Sequence, residues 1–554
     1  MRAIALTALA VILLHLPTHA DPLKQATDTI EAMILALDRG EAVTSLDQPV
    51  ITTKVLTQLY SANGYVPIWI NPKTVETLLT ALADIENDGL DPEEYHGTTL
   101  SSLGAKNPDD GVTLAERDIL LSDAFILMLY HLSYGKADPA RLNADWNIDD
   151  LGEGLDLDDV ETKGQIVTEI LGTVADGRVE QLLDEIRPSG IYYLQMRQAY
   201  VHYRALAANG GWPSVPDGPT LREGDQDARV AILRQRLAVT DDLDPALAQG
   251  QSYDADVTTA VVHFQARHGL DDDGLVGKGT LAALNVPAAQ RADELRINLE
   301  RDRWVLNLDL RDFVVVNIAA FEVWLVRDNQ MIWESRVQVG TSAHKTPIFT
   351  EAMTYLDVNP TWTVPASIAN RAILPKVKAD PGYLASQDMV LLDSKGREQD
   401  PAGVDWASVT RMPYTVRQNP GPLNALGQIK FIFPNKHAVY LHDTPSRYNF
   451  SRASRTFSSG CIRVQNPFDL ATLLLDDQPE WTRERLDEVL ESGKRTTVRL
   501  KEPLPVFLLY WTAYVDFQGA VQFRSDVYKR DAAVRAALDA PSSMHRQHIR
   551  RTRN

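Results

Sequence analysis

The chain of 554 residues has one cysteine, Cys461. A lone thiol cannot close an internal disulfide, so a structural cross-link is excluded and nucleophilic chemistry becomes the leading use for it. Basic residues are also short: 55 Lys and Arg stand against 75 Asp and Glu, a formal net charge of -20. That balance excludes a nucleic-acid binder, which needs clustered cations to meet phosphates. Beyond the first twenty positions no apolar run is long enough to cross a membrane, and Leu504 to Val515 is short and carries Pro505. Metal and phosphate motifs are missing too. No pair of histidines, His344 and His437 included, has ligand spacing. Asp271 to Asp273 lacks the alternation and distal Glu of a calcium loop, and so does the acidic run Asp149 to Glu161, which reads as a solvated face. Gly274, Gly277 and Gly279 do not follow a strand in dinucleotide spacing. No cofactor is called for.

What is present begins with an export signal. Arg2, the apolar stretch Ala3 to Leu16 and Pro17-Thr18-His19-Ala20 predict a cleaved signal peptide over 1–20, which places the mature protein outside the cytoplasm. A chain this long divides into several cores. Residues 21–211 read as a helical domain, with Asp118 to Leu132 apolar nearly all round and Ile166 to Leu183 as a further helix. Three prolines and a glycine mark a linker at 212–220. A small helical module follows over 221–287, with amphipathic helices at Arg229 to Leu237 and Asp256 to His268. A charged connecting helix occupies 288–311. From 312 to 500 the period changes to that of strands, with β-branched and aromatic runs at 313–318, 321–326 and 331–339. A long proline-rich insertion at about 359–427 interrupts this β-rich, mixed α+β domain and reads as a lid. A hairpin and helix over 501–540 and a basic tail over 541–554, read as a solvated terminus, complete the chain.

The candidate chemistry clusters in two short runs, Val439 to Pro445 and Ser458 to Val464. On an extended strand Tyr440 and His442 project to one face and Leu441 to the other. Ser458-Ser459-Gly460 before Cys461 is a tight small-residue turn, in which backbone N–H groups can crowd the site of attack as an oxyanion hole. A free thiol titrates near 8.5, so an imidazole able to take its proton would make Cys461 and His442 a nucleophile and base joined as an ion pair. Asp443 or a backbone carbonyl could orient the His442 ring. Arg463 shares the face of Cys461, where it could hold a substrate carboxylate by a forked contact or brace the loop.

These two runs resemble the active-site signature of the L,D-transpeptidases, in which a His precedes a Ser/Thr-x-Gly-Cys turn. Ser459 stands where His is common, and the His-to-Cys interval is long; both features resemble the large periplasmic subfamily with a helical scaffold domain, a peptidoglycan-binding module and a lidded catalytic domain. The block 221–287 resembles the module through Leu221-Arg222-Glu223-Gly224-Asp225, Ala260-Val261-Val262-His263-Phe264-Gln265 and Asp273-Gly274-Leu275-Val276-Gly277. Further matches are Asn298-Leu299-Glu300-Arg301 with Arg303-Trp304, Asn359-Pro360-Thr361-Trp362, and Ile373-Leu374-Pro375-Lys376. The resemblance implies a cell-wall enzyme whose partners are peptidoglycan stem peptides, a donor tetrapeptide and an acceptor amine, with other wall-synthesis enzymes as further partners. It implies Cys461, His442 and Gly460 as catalytic, and Arg463, Tyr440, Trp362, Ser458 and Ser459 as substrate-binding, with Trp362 reaching in from the lid. It also implies a carbapenem target. A thiol hydrolase of the same stems and a noncatalytic wall-binding scaffold are the alternatives.

Overall fold

The computed structural model describes residues 21–148, 154–156, 160–188, 190–306, 311–544 and 548–550. The expected signal peptide, most of the acidic run 149–161 and half of the basic tail lie outside the described residues.

Helix α1, Gly111–Tyr134, is the axis of the N-terminal helical region, and its sequence explains why: with leucine, isoleucine and phenylalanine on every side it can only be a central helix. Its buried carboxylates are satisfied locally. Asp118 accepts from the N–H groups of Ile68 (2.9 Å) and Trp69 (2.7 Å), which pins the extended segment before Trp69 against the helix. The single helix expected over 166–183 is instead two, Val160–Asp176 and Val179–Ile186. Gly177, at φ 70°, ends the first in the left-handed conformation that glycine adopts without strain.

The small module packs three helices, Ala228–Val239, Ala255–Arg267 and Lys278–Leu284, around Leu233, Leu237, Val261 and Phe264. The expected linker is not a free tether. Val215 is buried in this same core, and the Trp212 ring lies 4.0 Å beneath the Arg236 guanidinium.

Helices α2, Ile191–Ala208, and α3, Ala288–Val305, join the helical region to the C-terminal domain. Along α3 the residue types that look merely charged turn out to be buried braces. Glu300 pairs with Arg303 at 2.6 Å with both side chains fully buried, and Arg303 continues to the Asp88 carbonyl (2.7 Å) and the Tyr193 hydroxyl (3.0 Å). The same helix drives Trp304 into the core of the β-domain.

That domain is a nine-stranded sheet rolled on itself. Its strands are β1 Phe313–Asn317, β2 Glu322–Arg327, β3 Gln330–Gly340, β4 Phe349–Val358, β5 Ile429–Ile432, β6 Leu441–His442, β7 Thr456–Ser458, β8 Ile462–Val464 and β9 Thr496–Leu509. The order runs β7-β3-β8-β6-β5-β4-β9-β1-β2, and β2 pairs again with β3, so the sheet closes. The turn between β2 and β3 places Asp328 and Asn329 at φ 47° and 62°, the left-handed pair that a tight hairpin demands. The boundary expected at 500 is corrected: β9 runs through it, pairing with β4 and β1, because Val498, Leu504, Val506 and Leu508 are all core residues. The hairpin proper lies at Ala513–Val515 and Val521–Phe523, followed by a helix at Asp531–Leu538. The tail was read as solvated, yet His548–Arg550 pairs antiparallel with Gly154–Asp156.

The insertion is a folded subdomain rather than a loop. Four short strands, Trp362–Thr363, Met389–Leu392, Glu398–Gln399 and Thr415–Gln418, pair antiparallel over helices that carry their own core of Ile373, Val377, Leu384, Leu391, Trp406 and Val416. At its base Gly427 (φ 63°) approaches Asp443 so closely that a Cβ would lie 2.5 Å from that side chain.

Candidate active site

Strands β6 and β8 run parallel, with Leu441 opposite Ile462 and His442 opposite Arg463. Paired residues in such a ladder point to the same side, and neighbours along a strand to opposite sides. Leu441 and Ile462 are fully buried in the barrel core. His442 and Arg463 therefore face outward, together with Tyr440 and Cys461 one step of the period back. The Tyr440 and His442 rings meet at 5.7 Å between centroids.

The His442 tautomer follows from its partner. Nδ1 lies 2.5 Å from the Asp443 carbonyl oxygen, which can only accept, so Nδ1 carries the proton and Nε2 bears the free lone pair. The orienting group is thus the Asp443 backbone. The Asp443 carboxylate is used elsewhere, accepting from the Gln428 N–H (3.0 Å) and pairing with Arg447 (3.2 Å).

The electrostatics correct one expectation. Burial, followed by the charge of Arg463, pushes the His442 pKa down to about 3. Lys430 adds to this from the other flank, since its register partner on β6 is His442 itself. Burial pushes the Cys461 thiol up, opposed by hydrogen bonds from Tyr440 and the charge of Arg463. Both shifts favour the uncharged forms, thiol and neutral imidazole, over the ion pair expected from sequence. The thiol donates to the Ala438 carbonyl at 3.5 Å, and no hydrogen bond joins Sγ to the His442 ring among the described residues. Ala438 itself sits at φ 53°, a left-handed conformation unusual for alanine and a mark of local strain.

The turn before Cys461 is braced tightly. Ser458, expected to touch substrate, is buried: its hydroxyl donates to the Cys461 carbonyl (2.5 Å) and accepts from the Gly460 N–H (3.0 Å). Gly460 therefore cannot offer its N–H to an oxyanion, which corrects its expected role; the N–H groups of Ser459 and Cys461 have no protein acceptor among the described residues. Gly460 is required for another reason, its φ of 120°, since nothing crowds the place of a Cβ there. Its carbonyl accepts from the Thr346 hydroxyl at 2.9 Å.

Arg463 has one polar partner, Gln338 Oε1 at 3.2 Å, while its Nε is buried and unpaired and no carboxylate meets it among the described residues. A guanidinium so placed beside a thiol fits an incoming carboxylate. Trp362 does not join the cluster: it packs half-buried on the lid's own core, paired in register with Gln418. The lid instead reaches the site through Arg371, which lies in a π-helical turn, Ala369–Ile373. Arg371 Nη2 donates to Ser459 Oγ at 3.3 Å, and Nη1 meets His344 Nε2. The sequence singles out neither Arg371 nor, beyond its lack of metal-ligand spacing, His344. The proline-rich insertion signalled a lid, but nothing local marks which of its side chains faces the thiol. No group of three or more His, Cys, Asp or Glu side chains suited to a metal occurs among the described residues.

Comparison with known proteins accounts for this architecture. Three family models match: a scaffold domain over residues 54–199, a "putative peptidoglycan binding domain" over 226–284 and an L,D-transpeptidase catalytic domain over 311–497. The chain thus joins a scaffold domain, a putative peptidoglycan binding domain and a catalytic domain in that order. More particularly, residues 311–497 carry an L,D-transpeptidase catalytic domain. A Haemophilus influenzae protein named "Putative L,D-transpeptidase" is 39% identical over 245 residues, covering 44% of this chain and 49% of that one. The chain thus matches about half the length of that relative. Solved L,D-transpeptidase structures from Stackebrandtia nassauensis (14% identity, 54% of this chain, 96% of that one, TM-score 0.22) and Xylanimonas cellulosilytica (15%, 53%, 99%, TM-score 0.17) also align, at scores too low to add weight.

Proposed function

We propose that this protein is a peptidoglycan L,D-transpeptidase acting through a Cys461 thioester. The observation that carries the reading is the single face on which β6 and β8 set Tyr440, His442, Cys461 and Arg463, with the His442 Nδ1 proton fixed by the Asp443 carbonyl. Sγ attacks the amide carbonyl of the third residue of a tetrapeptide stem while its proton passes to His442 Nε2. The carbonyl oxygen, negative in the tetrahedral species, accepts from the N–H groups of Ser459 and Cys461. The C–N bond breaks, His442 returns the proton to the departing amine, and D-Ala leaves. An acceptor amine then attacks the thioester, His442 takes its proton and gives it back to sulfur, and the cross-link is formed. A neutral imidazole suits this cycle, because a base must arrive unprotonated. Arg463 binds a donor carboxylate.

The module over 226–284 supports delivery to the wall, and the sequence of residues 1–20 supports export to the periplasm. The test is incubation of the mature protein with purified disaccharide-tetrapeptide and mass analysis of the products. Cross-linked dimer with loss of D-Ala is expected. Tripeptide alone, even with abundant acceptor, would make the enzyme a hydrolase, and unchanged substrate would sink both readings.

A further inference from the structure

Away from Cys461, a cavity of about 370 Å³ opens where the end of the helical region, helix α3 and the C-terminal helix meet the barrel. Among the described residues its wall carries four cations, Arg301, Lys345, Lys529 and Arg530, against one carboxylate, Asp145. Arg301 is neutralised by Asp531 at 2.7 Å. The other three have no ion pair among the described residues. Arg530 donates to the Asn143 side-chain oxygen and lies over the Tyr510 and Tyr528 rings at 5.7 and 6.0 Å, and its Nε is buried without a hydrogen-bond partner. Lys345 donates to the Tyr528 carbonyl at 2.8 Å, and Lys529 is exposed in a left-handed conformation, φ 56°. The facing acids are committed: Asp526 accepts from the Tyr510 hydroxyl (2.7 Å) and the Arg530 N–H (2.8 Å), and Asp145 is shared with Lys436 and His437 at 3.7 and 3.6 Å. Trp146, Trp304 and Tyr510 give the cavity flat apolar walls. Unpaired cations beside aromatic faces suit an anion on an organic body.

The cavity is wired to the catalytic turn. Tyr528, in its wall, donates to the Gly340 carbonyl (2.6 Å) and accepts from the Thr346 N–H (3.2 Å). Thr346 in turn holds the Gly460 carbonyl, next to Cys461. Gly340 cannot yield: a Cβ there would lie 2.0 Å from the His344 carbonyl.

We propose that this cavity binds a small organic anion, a carboxylate or phosphate carried on a flat or sugar-like body, and that its occupancy is felt at Cys461 through Tyr528 and Thr346. Arg530, Lys345 and Lys529 hold the anion, and the rings take the body.

The test uses the full mature protein. N-acetylmuramic acid and inorganic phosphate are titrated separately while tryptophan fluorescence is followed, and the alkylation rate of the single thiol is measured with and without each. Saturable binding is expected, tighter for the sugar acid, with a changed alkylation rate at saturation. Arg530→Gln should weaken binding by about tenfold or more, the loss of one charge-assisted contact. Lys529→Gln, at an exposed position, should weaken it by a smaller factor. Absence of saturable binding, equal affinity in both variants, or an alkylation rate that does not move overturns the proposal. Equal affinity for phosphate and N-acetylmuramic acid overturns the organic character of the ligand.

Discussion

The barrel wall and the lid meet over Cys461, but they are built to different rules. In the wall, every chemical group is fixed by ladder pairing: His442 lies between Lys430 and Arg463, each its register partner, and Leu441 and Ile462 lock the strands from behind. The lid has a separate core and touches the turn through the exposed Arg371, without a buried contact of Trp362 to the thiol. Rigid elements carry the chemistry where an error of an ångström is costly, and a separately cored subdomain covers it where movement is needed.

The sharpest break in this comparison comes from the wall. Cys461→Ala is expected to abolish cross-linking while the circular dichroism spectrum is unchanged, and His442→Ala to cost roughly 100- to 10,000-fold in kcat/KM. Comparable losses from lid variants that leave the lid folded would erase the distinction. Next is the lid's base: Gly427→Ala introduces a Cβ 2.5 Å from Asp443 at a φ of 63° and should destabilise the protein by on the order of 1–3 kcal/mol. Thermal unfolding checks the stability, and carbapenem labelling of Cys461, read by intact mass, should slow. Labelling at the wild-type rate would mean that the lid's seating does not govern access.

The third prediction concerns charge. The folded pKa of His442, about 3, lies below its unfolded value near 6.5, so the unfolded chain binds that proton first. The stability it supports is present above pH 6.5, falls as the pH drops from about 6.5 towards 3, and is level below. Arg463→Gln removes one flanking cation and should raise the His442 pKa, narrowing that window; NMR titration of the imidazole reads it directly. An unmoved His442 would leave burial and Lys430 as the causes. The smallest effect is expected of Arg371→Ala, a change of a few-fold in KM with kcat nearly intact, because its contact with Ser459 is exposed. A fall in kcat matching that of His442→Ala would move Arg371 into the catalytic machinery.

Much of this was legible in the residues. The all-round apolar character of 118–132 fixed a central helix, the β-branched runs of 313–339 fixed three strands, and the alternation of Tyr440, Leu441 and His442 put two functional side chains on one face, since periodicity is local and survives any tertiary context. The break at Gly177 and the continuation of β9 past residue 500 were less visible, because helix ends and strand lengths depend on what packs against them. What sequence alone determined is which groups exist and which neighbours share a face. Only the tertiary structure decided that Ser458 braces the turn, that the Asp443 backbone rather than its carboxylate orients His442, that burial, with Arg463 and Lys430 on either flank, lowers the pKa of the imidazole, and that Arg371 donates to Ser459 in the turn beside the thiol. Those outcomes depend on burial and on pairing between segments far apart in the chain, and neither is a property of any local run of residues.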